Sequence, residues 1–222
     1  MAAIPGWLWL ALAASLAAQL GWQAALDPLR SPDDELPPPP SAQALRLASF
    51  GEAEAGARLG MLYLQPFSLR DLDYDRLQGW LGVLLELDPR SQYPLFAAAR
   101  IYAEHPDAAR SRAMLEFVHR QFLLDPNRRW PWLAHGALLA KHRLKDLALA
   151  RRYAAAIERH ATASDVPLWA RQMEIFILED MNEFEAARVM LGGLLSGGRI
   201  QDPAEVRFLQ QRLEELEART IR

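Results

Sequence analysis

The chain has 222 residues, of which 51% are hydrophobic and 24% are charged. This composition is typical of a folded protein and is too apolar for a disordered one. The net charge of −3 gives no reason to expect nucleic acid as a partner, and the absence of cysteine excludes disulfides, thiol catalysis and cysteine metal sites.

The N-terminal segment is the longest uncharged part of the chain, since no charged side chain occurs between Ala2 and Leu26. Such a run is long enough to cross a bilayer, which needs about 20 residues. We therefore expect residues 1–26 to be a transmembrane anchor that crosses the inner (cytoplasmic) membrane of a bacterium once. A cleaved signal peptide is the alternative, because Ser15-Leu16-Ala17 is a small-x-small site. Acidic residues beginning with Asp27 follow the run, which favours a periplasmic position for the rest of the chain.

Residues 27–41 are predicted to be a proline-rich linker. They contain six prolines, including the run Pro37-Pro38-Pro39-Pro40. Consecutive prolines favour the extended polyproline II conformation, so this segment is expected to act as a semi-rigid spacer. The folded domain then occupies residues 42–222.

That domain is predicted to be helical throughout, because alternating β-branched runs and hairpin turn pairs are missing. Segments rich in alanine and leucine, with apolar residues three or four positions apart, alternate with short breaks. They predict helices at about 41–64, 73–87, 92–104, 107–124, 130–143, 146–162, 166–180, 183–196 and 203–219.

Prolines return in this domain at a nearly constant interval. Pro94, Pro131, Pro167 and Pro203 are 37, 36 and 36 residues apart. The pattern D-P-x-x-x-aromatic-P-apolar occurs at 88–95 and again at 125–132. A fixed period of this size indicates stacked helical repeats, and such a stack presents an extended surface.

The repeats resemble those of the tetratricopeptide family. Residues 132–139 read W-L-A-H-G-A-L-L and are similar to the family pattern W-x-x-L-G-x-x-Y, with His135 in place of leucine and Leu139 in place of tyrosine. The resemblance covers roughly residues 85–219. It implies an all-α fold: an α-solenoid of about four antiparallel helix pairs with a C-terminal capping helix, following the transmembrane helix and the proline-rich linker.

The resemblance also implies a binding site, because the first helix of each pair in this family lines a concave groove. Carried over by position, the residues of a partner-binding groove are Tyr93, Phe96, Arg100, Trp130, Leu133, Lys141, Trp169, Met173 and Phe176. Aromatic side chains would supply contact area for a peptide or helix of a protein partner, and the two cations would bind a carboxylate. Aromatic residues at helical spacing are also typical of a core, and a shift of one residue would turn them inward.

Signals of catalysis are weak, since the chain has no glycine-rich phosphate loop, no G-x-S-x-G and no H-E-x-x-H. We expect no catalytic residues, no metal site and no cofactor. The leading hypothesis is a non-catalytic protein–protein interaction scaffold or adaptor, anchored in the membrane. The alternatives are an accessory structural subunit of a membrane-bound enzyme or transport complex, and a secreted soluble repeat protein.

Overall fold

The computed structural model describes residues 12–19, 35–65, 67, 72–197, 200 and 202–220. These residues form helices and no strands, which confirms the all-α prediction. The helices are α1 (12–19), α2 (Ala42–Ala48), α3 (Ala53–Leu64), α4 (Tyr74–Leu87), α5 (Tyr93–Ala97) continuing into a π-helical turn (Ala98–Tyr102), α6 (Ala108–Leu124), α7 (Pro126–His142), α8 (Leu147–His160), α9 (Leu168–Asp180), α10 (Phe184–Ser196) and α11 (Pro203–Thr220).

Helices that follow one another in the chain pack against one another in space, as in an α-solenoid. Helix α7 contacts both α6 and α8, and it also contacts its neighbours among the odd-numbered helices, α5 and α9. One hydrophobic core extends from α3 to α9. A second cluster lies between α9, α10 and α11, where Leu178, Leu191, Leu209 and Leu216 are buried. Helix α9 therefore contributes one face to each cluster and joins them.

The transmembrane helix predicted for residues 1–26 is corrected by the structure. Among the described residues, no helix combines the length and the apolar character needed to cross a membrane. Of the predicted span the structure describes only α1, whose eight residues would rise about 12 Å, whereas a hydrocarbon core is about 30 Å thick. The remainder of the span lies outside the described residues. The location in the inner membrane and the periplasmic side stay predictions.

The continuous helix predicted at 41–64 is also wrong, because it is divided into α2 and α3. The break occurs at Phe50 and Gly51, whose φ angles of 54° and 88° are incompatible with a right-handed helix. Glycine adopts this conformation without strain, while phenylalanine does so rarely. The side chain of Phe50 is 97% exposed, so no packing explains its strained backbone.

The recurrent prolines lie at or near helix starts, with one exception. Pro94 and Pro203 occupy first turns, and Pro167 directly precedes α9. Pro131, however, is inside α7, which begins at Pro126 rather than at residue 130 as predicted. A proline at N1 loses no helical hydrogen bond, so the dipeptide Asp125-Pro126 starts this helix one turn early.

A π-helical turn ends the first of the proline-led helices. The amide of Ala103 donates to the carbonyl of Ala98 over 2.9 Å, five residues back instead of four. Such a turn accommodates one extra residue within a helix. It lies between Pro94 and Pro131, and this proline interval is the one with 37 residues instead of 36. The one residue added by the π turn equals the one residue by which this interval exceeds the others.

Candidate functional site

Aromatic side chains connect the beginnings of α5 and α7. Tyr93 and Phe96, on α5, are 64% and 40% exposed, and their ring centroids are 6.1 Å apart. The edge of Phe96 meets Trp132 of α7 at 5.8 Å and 82°. The indole nitrogen of Trp132 donates a hydrogen bond of 2.6 Å to Oε1 of Gln92, which fixes the ring against α5.

A second aromatic contact connects α7 to α9. Trp130 meets Trp169 edge to face, with ring centroids 5.4 Å apart, and Trp169 is 53% exposed. Trp130 and Trp132 are two positions apart on a helix, so their side chains diverge by about 200° and reach the two neighbouring helices. Tyr93, Phe96, Trp132, Trp130 and Trp169 are called the aromatic row below.

A pocket of about 440 Å³ adjoins the aromatic row at Tyr93. Its walls come from one side of α3 and from the beginning of α5, and Leu62 is 58% exposed there. The lining residues are Ala57, Arg58, Met61, Leu62, Gln65, Ser91 and Tyr93. The apolar surface thus continues from the aromatic row onto α3.

The two cations predicted to bind a carboxylate have different surroundings. The ammonium of Lys141 forms an ion pair with the carboxylate of Asp180, which joins α7 to α9 within the chain. Arg100 is exposed on the π turn, and its Nη1 lies 3.3 Å from Nδ1 of His135. Lys141 therefore has an internal partner already, and Arg100 is the better placed of the two to meet an acidic ligand.

His135 is a half-buried side chain between α7 and the π turn. Its Nε2 lies 3.5 Å from Oε1 of Glu104, at the outer limit of a hydrogen bond. Burial and, next in size, the Arg100 guanidinium lower the pKa of His135, and Glu104 opposes them in part. The neutral imidazole is thus the favoured form at neutral pH, and it can accept a hydrogen bond from Arg100.

Not all residues predicted for the groove reach the surface. Leu133 is fully buried and Met173 is 8% exposed, and both belong to the hydrophobic core. Leu133 follows Trp130 by three positions and lies about 60° away around the helix, on the side that faces the core. Phe176 is half-buried. The structure thus brings Tyr93 and Phe96 together, and Trp130 and Trp169 together.

Sequence reasoning missed Trp132 as a surface residue. It is not among the predicted groove residues, and its counterpart one repeat earlier in the D-P-x-x-x-aromatic-P-apolar pattern, Leu95, is fully buried. Trp132 is half-buried, because its ring packs against the hydrophobic core and also contacts Phe96. The sequence contained a signal for Trp132, because the last position of the repeated aromatic-P-apolar pattern is leucine at 95 and the larger tryptophan at 132.

No group of three or more histidine or acidic side chains that could hold a metal ion occurs among the described residues. Comparison of the chain with protein-family models, with curated proteins and with solved structures found no match. The class of protein is therefore defined by the fold and the surface: an all-helical array of adjacent helix pairs, compatible with a helical-repeat protein, with exposed aromatic residues along its odd-numbered helices.

Proposed function

We propose that this protein is a non-catalytic scaffold of the tetratricopeptide-like type, which binds a peptide or a helix of a protein partner across the aromatic row. The observation that carries the proposal is the exposure of Tyr93 and Phe96 on α5 and of Trp169 on α9, joined through the half-buried Trp132 and Trp130 of α7. Large aromatic residues are enriched at protein interfaces, and adjoining exposed apolar groups on a folded protein mark interaction sites.

The chemistry of the surface indicates the kind of partner. The ring edges and faces of the aromatic row and the apolar pocket beside α3 suit apolar side chains on one side of a helix or an extended peptide. Arg100 lies on the same helix as Phe96, one turn further on, and would bind an acidic side chain of that partner. An apolar segment with a carboxylate beside it is the ligand that these residues favour.

Site-specific photo-cross-linking in the cells that express the protein tests the proposal. We would replace Tyr93, Trp169 or Leu124 by the photoreactive p-benzoylphenylalanine and identify the cross-linked proteins by mass spectrometry. Leu124 is the matched control, because it is 74% exposed and apolar but lies at the end of α6, outside the aromatic row. The expected result is one protein cross-linked from positions 93 and 169 and absent at 124.

Equal cross-linking at all three positions, or none at 93 and 169, would refute the proposal. The affinity of the identified partner then gives a second criterion. Truncating an aromatic residue at the centre of an interface typically costs about 2 kcal/mol or more, so Trp169→Ala should weaken binding by at least about thirtyfold. Leu124→Ala should leave the dissociation constant unchanged.

A further inference from the structure

The end of the predicted linker packs against α4 instead of standing free as a spacer. Residues 35–40, called the proline strap below, are held by two side chains of that helix. Arg76 Nη1 lies 2.8 Å from Oε1 of Glu35 and donates to the carbonyl of Leu36, also over 2.8 Å. The indole nitrogen of Trp80 donates to the carbonyl of Pro37 over 2.8 Å. Three consecutive residues of the strap are thus recognised by α4.

The contacts of the proline strap follow the period of a polyproline II helix. Each residue from Leu36 to Pro39 precedes a proline and is therefore restricted to extended conformations. With three residues per turn, Leu36 and Pro39 share one face and Pro38 faces away from it. The burial agrees, because Leu36 is 2% exposed within the core whereas Pro38 is exposed.

The surface under the strap is shaped for this ligand. Gly79 lies beneath Pro39, and a Cβ at Gly79 would be 2.9 Å from Cγ of that proline, so only glycine permits the approach. Trp80 forms the adjoining wall and stacks on Tyr63 of α3, with ring centroids 5.0 Å apart and an interplanar angle of 25°. Grooves lined by aromatic side chains are a recurring way of binding proline-rich segments.

We infer that α3 and α4 form a recognition site for proline-rich peptides, which the chain occupies with its own strap. The bound pattern is acidic–Leu–Pro–x–Pro. The acid pairs with Arg76, the leucine enters the core, the first proline accepts from Trp80 and the last contacts Gly79. The fourth position of the pattern, occupied by Pro38, faces away from the site and therefore accepts any residue. The same site accepts this pattern from another chain when the strap is displaced, independently of the aromatic row.

Competition between the strap and a peptide from another chain explains why the site is closed in the isolated chain. A tethered ligand has an effective concentration of the order of millimolar, so an added peptide of similar affinity displaces it poorly. A chain whose own strap is weakened should instead bind the peptide. The full-length variant Leu36→Gly, Pro37→Gly, Pro39→Gly, called the open variant, removes the side-chain contacts of Leu36 and Pro39 and weakens the extended preference of the strap, and it keeps α3 and α4 unchanged.

The experiment is a titration of the open variant with a fluorescein-labelled peptide of residues 33–41, followed by fluorescence anisotropy. We expect saturable binding, and binding at least about tenfold weaker for peptides with Leu36→Ala or Pro39→Ala. The peptide with Pro38→Ala is the matched control and should bind as well as the native peptide. Trp80→Phe in the open variant keeps an aromatic ring but removes the donor, and should weaken binding comparably.

Three outcomes would overturn the inference: no binding by a folded open variant, equal binding of the Pro38→Ala and Pro39→Ala peptides, and no effect of Trp80→Phe. Circular dichroism shows whether the open variant is folded. If the open variant is unfolded, two full-length single variants, Pro39→Ala and Pro38→Ala, are titrated with the labelled native peptide instead. The Pro39→Ala protein should bind it more tightly than the Pro38→Ala protein does, and equal affinities would reject the site.

Discussion

Gly136 lies where α7 comes closest to its neighbours, and its substitution tests the helix packing directly. A Cβ at this position would be 3.3 Å from Cδ2 of Leu115 on α6 and 3.9 Å from Cδ2 of Tyr153 on α8. Both side chains are fully buried, so neither can move into solvent. A single methyl group thus already meets its neighbours, and Gly136→Leu adds three further carbons to the same space. The expected loss in the free energy of unfolding is about 1–3 kcal/mol or more.

Urea denaturation followed by circular dichroism measures this loss as a lower transition midpoint. Gly193→Leu in α10 is the matched control, because Gly193 is also helical but has no atom within 4 Å of an added Cβ. Leucine exceeds glycine in helix propensity by up to about 1 kcal/mol, so this variant should raise the midpoint or leave it unchanged. An unchanged midpoint for Gly136→Leu would refute the packing of α7 between α6 and α8, and with it the repeat alignment.

Three further variants test the exposure of Trp169, the titration of His135 and the turn at Lys145. Trp169→Ala should lower the free energy of unfolding in urea by about 2 kcal/mol or less, because the Trp169 ring is 53% exposed. A loss of about 3–5 kcal/mol, the value for a buried aromatic residue, would show that Trp169 belongs to the core. Because the pKa of His135 is lowered in the folded protein, the unfolded chain binds more protons as the pH falls below about 6.5, and stability decreases. His135→Leu should therefore reduce the loss of stability measured between about pH 7 and pH 5, and an unchanged slope would contradict this. Lys145 has a φ of 54°, so Lys145→Gly should raise the free energy of unfolding by about 0.5–1 kcal/mol, and a decrease would show that the turn needs the lysine side chain.

Local signals in the sequence predicted much of the fold. The helix predicted at 203–219 matches α11, and the Asp202 carboxylate before it accepts from the amide of Ala204 over 2.8 Å. The break between α2 and α3 was missed because Phe50, with its positive φ, carries no turn signal of its own. The helix predicted at 130–143 starts too late, because Pro126 and not Pro131 occupies the first turn of α7.

The surface was harder to predict than the helices. The resemblance to the tetratricopeptide family implied groove positions for Tyr93, Phe96 and Trp169, but helical periodicity alone does not decide whether such residues face solvent or core. Leu133 shows the difficulty, because it was assigned to the same face as Trp169 and is fully buried. The contacts of the proline strap were beyond sequence reasoning, since they join residues about 40 positions apart in the chain.

The π turn has a consequence for the end of its helix. It closes the helix with the hydrogen bond from Ala103 to Ala98, and the chain leaves in a turn that carries Glu104. One added residue rotates everything after it by about 100° around the helix axis. The direction in which Glu104 meets His135 is therefore set by this residue, whereas the contact of Phe96 with Trp132 is set before it. Removal of one residue from the turn would redirect the Glu104 carboxylate and leave the aromatic contact with α7 in place.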